Sequence, residues 1–350
     1  MRGRRHAAWI WVLGLAMIGC ADDSDTTPPG RDYEAEVTEG MKASISADLA
    51  GWRAGAANLC DAAPTKAWNP TTHSSDVAAM RAAWRDARAS YEHIEGAIAP
   101  LYPDIDFATD ARYDDYLAEL GADGDPDPFD DTGVTGMHGV ERILYANNVP
   151  PAVIEFESAL PGYAEPRFPE TDAEALAFKE ELCAKLVDDI ETLQTSWDDP
   201  GTKLDLSLAF QGLVDLMNEQ SEKVRLAATG EEESRYAQLT MADLRTNLDG
   251  AQVAYELFSE WIKSRDGGAE IDEKIRAGFD ALQVAYSAVD GDAIPQPPAT
   301  WNPQDPSEED LETPFGELYT AVQTAVDPAR DGSIVFEMVE AGSLVGLNVQ

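Results

Sequence analysis

Stretches of 20 to 30 residues rich in Ala, Leu, Glu and Arg recur along the chain, cut apart by clusters of Pro, Gly and Asp. Alternating β-branched runs are almost absent. Without period-two patterning no segment can present one apolar and one polar face as a strand, so an all-α fold follows. The pattern predicts helices near 33–62, 74–99, 136–147, 171–197, 205–229, 240–266, 271–289 and 307–326. Eight helices suffice for two helical bundles. The strongest break, Pro161 to Pro169, divides them into an N-terminal bundle, residues 32–165, and a C-terminal bundle, residues 166–350. Between helices, Pro100 to Thr135 reads as an aspartate-rich loop, and Asp290 to Pro306 as a proline-rich one.

The amino end sets the compartment. Arg2, Arg4 and Arg5 precede an apolar run from Ala7 to Ile18, which is too short for a membrane span and reads as a secretory signal. Met17-Ile18-Gly19-Cys20 resembles the lipobox of bacterial lipoproteins, in which the cysteine is acylated after cleavage. The expectation is a signal peptide at 1–19, lipidation at Cys20 and a polar tether at 20–31, the alternative being an ordinary cleaved signal with an incidental cysteine. Ala21 after the cysteine points to the periplasmic face of the outer membrane. The polypeptide carries 66 acidic against 25 basic residues, a net charge of -41, so only the lipid would hold it to a membrane. The same charge argues against a nucleic-acid partner, since no basic stripe exists to displace counterions from a phosphate backbone. Cys60 and Cys183 are the other cysteines, and outside the cytosol they are free to form a disulfide or to stay as two buried thiols.

Candidate chemistry lies on two helices. Met80, Trp84, Ala87, Tyr91, Ile94 and Ile98 recur every three or four residues and form one buried stripe. Glu95 falls at its edge and Glu92 on the same side, three residues earlier, so both carboxylates can point one way. In Gly136-Met137-His138-Gly139-Val140-Glu141, Met137, Val140 and Leu144 are apolar, and His138 and Glu141 flank them at the same spacing. An imidazole and a carboxylate so placed can share one cation, though they can equally form a plain ion pair.

The run from Met80 to Glu95, the Asp104, Asp106, Asp110-Ala111-Arg112 segment and Gly136-x-His138-x-x-Glu141 together resemble the imelysin (M75 peptidase-like) family, and within it the EfeO and EfeM type of iron-uptake lipoprotein. A third match is Gly230-Glu231-Glu232, Arg235-Tyr236, Asp243, Asn247 and Asp249-Gly250-Ala251. The resemblance covers essentially the whole mature chain and implies a helical double bundle with a metal site where its halves meet. Carried over residue by residue, it implies Glu92, Glu95, Asp110, His138 and Glu141 as ligands. One imidazole among carboxylates is a hard shell suited to ferrous or ferric iron, and zinc or manganese could also occupy it. It further implies an iron permease or a peroxidase-like protein of an Efe-type system as partner. Where the iron-type relatives read Arg-Tyr-Ser-His-Thr-Asp, this chain has Arg235-Tyr236-Ala237-Gln238-Leu239-Thr240, with Thr240 expected to cap the following helix.

The family's peptidase label leaves a metal-dependent peptidase as an alternative, and a metal-free binding scaffold as another. A zincin places a second histidine one turn after the first and a glutamate beside it, whereas Gly139 and Arg142 stand at those positions. His93 reads as solvent-facing, the alternative being a second nitrogen beside the carboxylate pair; Glu231 to Glu233 reads as a solvated turn, the alternative, from its place in the third motif, being a position near the site; Trp52, Trp84, Trp197 and Trp261 read as core, and Trp68 and Trp301 as pins of loops.

Overall fold

The structure, a computed structural model, describes residues 30–350; the expected signal peptide, Cys20 and nearly all of the tether lie outside the described residues. The described residues are helical, with no strand among them. The helices are α1 (Tyr33–Ala62), α2 (Ser74–Glu92), α3 (Glu95–Ile98), α4 (Pro103–Asp110), α5 (Tyr113–Leu120), α6 (Gly136–Leu144), α7 (Pro151–Glu157) and α8 (Asp172–Ala177). A π turn, Phe178–Leu182, leads into α9 (Cys183–Asp198). There follow α10 (Leu206–Leu226), α11 (Thr240–Lys263), α12 (Gly268–Ser287), α13 (Glu308–Leu311), α14 (Pro314–Val326) and α15 (Ile334–Val345).

Residues from Tyr33 onward form one compact unit around one main core. Helix α1 lies against α2, α9 and α11, and α2 also meets α6. Helix α10 packs on α3, α11, α14 and α15, and α12 on α11, α14 and α15. The stripe on α2 is buried as its spacing requires, and Trp52, Trp84, Trp197 and Trp261 are core residues. Trp68 is buried between Phe168 and Phe178 and so anchors the loop before α2. Cys60 and Cys183 are joined in a disulfide that ties the end of α1 to the start of α9 across 123 residues of sequence. On the chain-entropy account a loop of that length is worth about 5 kcal/mol against the unfolded chain.

Several boundaries differ from expectation, each for a physical reason. The expected helix 74–99 breaks after Glu92. Gly250 of α11 is pressed so close that a Cβ there would stand 1.9 Å from the His93 carbonyl oxygen. Asn247, one turn earlier on α11, donates to the Glu92 carbonyl at 2.9 Å, so a neighbouring helix satisfies a backbone acceptor at the break. The stretch 100–135 contains α4 and α5, because Asp104, Asp106, Asp114 and Asp115 occupy first turns, where acidic side chains complement the helix N-terminus. Residues 307–326 divide into α13 and α14 at Pro314, the first residue of α14. Helix α15 is an addition to the expected set. It is largely buried against α12 and α10, and its apolar residues run all round it rather than along one stripe.

Candidate metal centre

Six segments converge here: the last turns of α2, the start of α3, the end of α4, the first turns of α6, the last turn of α10, and the loop 227–239 with the first half of α11. The approach of α4 to α6 depends on Gly136. Its φ is +75°, and a Cβ on it would lie 2.7 Å from the Thr109 carbonyl oxygen. Only glycine combines that conformation with that contact, and the contact sets Asp110 beside His138.

His138 is buried. Its Nδ1 donates to Glu141 Oε2 at 2.8 Å. Glu141 Oε1 accepts two backbone N–H groups, from Tyr236 at 2.9 Å and Ala237 at 2.7 Å, so this carboxylate fixes the ring and the 227–239 loop together. A carboxylate accepts only, which leaves the second ring nitrogen, Nε2, directed toward the other two carboxylates, where it could ligate a cation. Nε2 makes no hydrogen bond. It lies 3.5 Å from Asp110 Oδ1 and 3.4 Å from Glu233 Oε1. The three residues present ligand atoms all within 4.8 Å of one another, the only such group among the described residues. Separations near 3.4 Å match the edge of a tetrahedron with bonds of about 2.1 Å, so the donor set fits a first-row cation in size and in chemistry.

Two buried cations face these groups. Arg88 bonds Asp110 through Nη1, and through Nη2 it reaches both Glu92 and Glu233, the latter at 2.9 Å. Its Nε is unbonded, 3.8 Å from Asp243 Oδ1. Lys223 Nζ lies 3.2 Å from Glu95 Oε2, 3.2 Å from Asn247 Oδ1 and 3.7 Å from Glu233 Oε2. Asn247 Nδ2 in turn donates to Glu92 Oε2 at 2.6 Å and Glu95 Oε2 at 2.7 Å. Ser234 Oγ donates to Asp243 Oδ2 at 2.5 Å.

The charges settle accordingly. Burial opposes ionisation of Asp110 and Glu233, yet Arg88 and His138 hold the Asp110 carboxyl low, and Lys223, His138 and Arg88 hold Glu233 well below the carboxylate range. Burial and the Arg88 charge work against a protonated His138, but Asp110, Glu141 and Glu233 outweigh them and raise it well above the usual imidazole range. Burial lifts Glu92 well up despite Arg88 and Lys223, and lifts Asp243 to about 6. At the partly buried margin, burial and nearby carboxylates push Asp106 to about 7 and Glu219 to about 8.

Of the five residues expected as ligands, Asp110 and His138 stand in the group of three, and Glu141 holds the opposite ring nitrogen. Glu92 and Glu95 lie beside the group, engaged by Arg88, Lys223 and Asn247. Nearby aspartates are engaged elsewhere: Asp106 accepts from the Tyr91 hydroxyl, Asp114 pairs with Arg235 at 2.8 Å, and Asp115 caps the Arg112 N–H at 3.1 Å. Glu231 to Glu233 is not a solvated turn, since Glu232 and Glu233 are buried. The loop backbone is held by Arg235 Nε donating to the Glu232 carbonyl (3.0 Å) and by Gln238, at φ +56°, whose Nε2 donates to the Arg235 carbonyl (2.9 Å), and in that loop Glu233 is buried. Ala237 and Gln238 stand where the iron-type pattern has Ser and His, and the bonds to Glu141 do not depend on those side chains, because they are made by the backbone N–H groups of Tyr236 and Ala237. Thr240 is not the cap of α11; Leu239 takes that position, with no side-chain bond. His93 does not face solvent freely either: it bridges Asp48 of α1 at 2.9 Å and Asp249 of α11 at 3.4 Å. For Glu233 the sequence offered only its place beside the Gly230-Glu231-Glu232 motif, and it gave no sign of Arg88 or Lys223.

The comparisons with known proteins agree with this fold. A solved imelysin-like protein from Psychrobacter arcticum superposes with a TM-score of 0.52 at 12% identity, over 91% of this chain and 96% of that one, which speaks to the fold alone. The iron uptake system component EfeM of Pseudomonas syringae is 23% identical over 291 residues, 81% of each chain. The EfeO component of Yersinia pseudotuberculosis is 26% identical over 230 residues, 65% of this chain, and the match spans half of that relative's length. The family model Peptidase_M75, Imelysin, matches residues 39–325. The chain belongs to the imelysin family.

Proposed function

We propose that this protein is an iron-binding component of an extracytoplasmic uptake system, held to the cell envelope by a lipid on Cys20 at the periplasmic face of the outer membrane. The cation is cargo, bound by His138 Nε2, Asp110 and Glu233, with Glu141 orienting the ring. Glu92 and Glu95 supply further carboxylates at the edge of the shell. The names of the EfeM and EfeO relatives, components of an iron uptake system, favour iron as that cargo; an iron permease or a peroxidase-like protein as the partner is what the family resemblance implies. The observation that carries the reading is the buried, unbonded Nε2 of His138 between two carboxylate oxygens at 3.4 and 3.5 Å. A buried polar nitrogen without a hydrogen bond is costly, and a cation at that point satisfies it.

Binding at Nε2 displaces the proton that the imidazole otherwise carries, so loading releases H⁺. His138→Ala removes the one nitrogen donor and leaves the helices intact. Isothermal titration with iron(II) under anaerobic conditions is expected to show at least about a tenfold loss in affinity, with far-UV circular dichroism unchanged. Equal affinity in the two proteins would overturn the site.

A further inference from the structure

The two oxygens that outline the cation position with His138 Nε2 already have an occupant. Asp110 Oδ1 is bonded by Arg88 Nη1, and Glu233 Oε1 by Arg88 Nη2 at 2.9 Å. These are the same atoms that lie 3.5 and 3.4 Å from Nε2. The guanidinium is only 2% exposed, so no water competes for it and no solvent-facing rotamer accounts for its place. Arg88 also has somewhere else to go. Glu92, one turn on along α2, already holds one face of Nη2, and Nε stands unbonded 3.8 Å from Asp243 Oδ1.

We propose that Arg88 is a resident counter-cation which occupies the site's carboxylates when no metal is bound, gives up Asp110 and Glu233 to an incoming ion, and takes them back on release. This deepens the reading above and rests on it. A cation held by these two oxygens would lie close to the guanidinium, repelled by it and drawing on the same negative charge, so metal and guanidinium compete, and the guanidinium sets how tightly the metal binds and how fast it leaves. Its planar fork suits this role, because two terminal nitrogens reach two carboxylates together, which a lysine cannot do. Lys223 differs, being held mainly by Glu95 and Asn247, 3.7 Å from the second oxygen of Glu233 rather than the shared one.

The ordinary expectation for a buried binding-site side chain is that its removal weakens binding. Here the sign is opposite. Anaerobic iron(II) titration of Arg88→Ala is expected to show affinity at least about tenfold tighter than the wild type, with correspondingly slower release to an external chelator. The cavity left by the side chain should accept free guanidinium. Millimolar guanidinium chloride is then expected to return the variant toward wild-type affinity, while sodium chloride at equal ionic strength does not.

Should Arg88→Ala fail to fold, Arg88→Lys keeps a charge beside Glu92 but loses the two-pronged grip, and is expected to bind about threefold tighter or more. Unchanged or weaker binding in whichever variant folds overturns the proposal, as does guanidinium acting no differently from sodium. His138→Ala, run alongside, separates the two ideas. If it binds iron as the wild type does, the site itself is wrong. If it loses binding while the Arg88 variants stay at the wild-type value, the site stands and the counter-cation falls.

Discussion

Glutamine at position 141 keeps the size and shape of the side chain but exchanges one acceptor for a donor. The Glu141 oxygens are fully used, one by His138 Nδ1 at 2.8 Å and the other by the Tyr236 and Ala237 N–H groups at 2.9 and 2.7 Å. In Glu141→Gln the amide oxygen stays with the two backbone donors, because an NH₂ there would meet two N–H groups. The amide NH₂ then faces Nδ1, which must accept. Nδ1 gives up its proton and the ring keeps its only proton on Nε2, the atom that needs to be bare to ligate. Supporting partners of this kind are worth about 10- to 100-fold in metal affinity, or about 1.4 to 2.7 kcal/mol. The fold loses less, about 1 kcal/mol, as a charge-assisted bond becomes a neutral one. Anaerobic iron(II) titration measures the first quantity and thermal unfolding the second, while long-range ¹⁵N correlation spectra report which nitrogen of His138 carries the proton. Wild-type affinity in a variant whose proton sits on Nε2 would refute the assignment of that atom as ligand.

Two further outcomes follow from the same geometry. Asp110 and Glu233 are held ionised while His138 is held protonated above the usual imidazole range, so a metal bound at Nε2 would displace one proton below the folded pKa of His138; below that point affinity should fall about tenfold per pH unit as pH drops, and titration at three acidic pH values giving a flat profile would contradict this. Gly136→Ala must strain a backbone at φ +75° and push away the Thr109 carbonyl, so it should cost about 2 kcal/mol or more of stability and abolish tight binding by moving Asp110; denaturant unfolding and iron titration test both parts.

The helices were legible because Ala-rich segments with spaced apolar stripes admit one reading, and α2 and α6 were placed with their acidic or imidazole edges toward one region. The centre itself was only partly legible. Glu233 hides in a polar triplet, and it is buried in a loop whose conformation no spacing encodes. Arg88 sits one residue after Ala87 of the buried stripe, where an arginine reads as the exposed edge of a helix. Its burial is decided by four carboxylates arriving from α2, α4, the 227–239 loop and α11. The break after Glu92 was invisible for a related reason: Asn247 and Gly250, more than 150 residues away, set it. Helix α15 lacked the one-sided pattern that marks a surface helix, because several neighbours cover it.

The centre draws on positions as far apart in sequence as Arg88 and Asn247, and no two of its contributing segments suffice alone. A nascent or unfolded chain therefore offers an ion nothing but scattered weak acids, and a captured ion in turn rewards only the finished tertiary arrangement. Occupancy and global folding become two readings of one equilibrium: at a hundredfold excess over the dissociation constant the ion adds about 2.7 kcal/mol to the native state. Resistance of the protein to proteolysis should therefore rise when iron(II) is added, if the proposed site binds it.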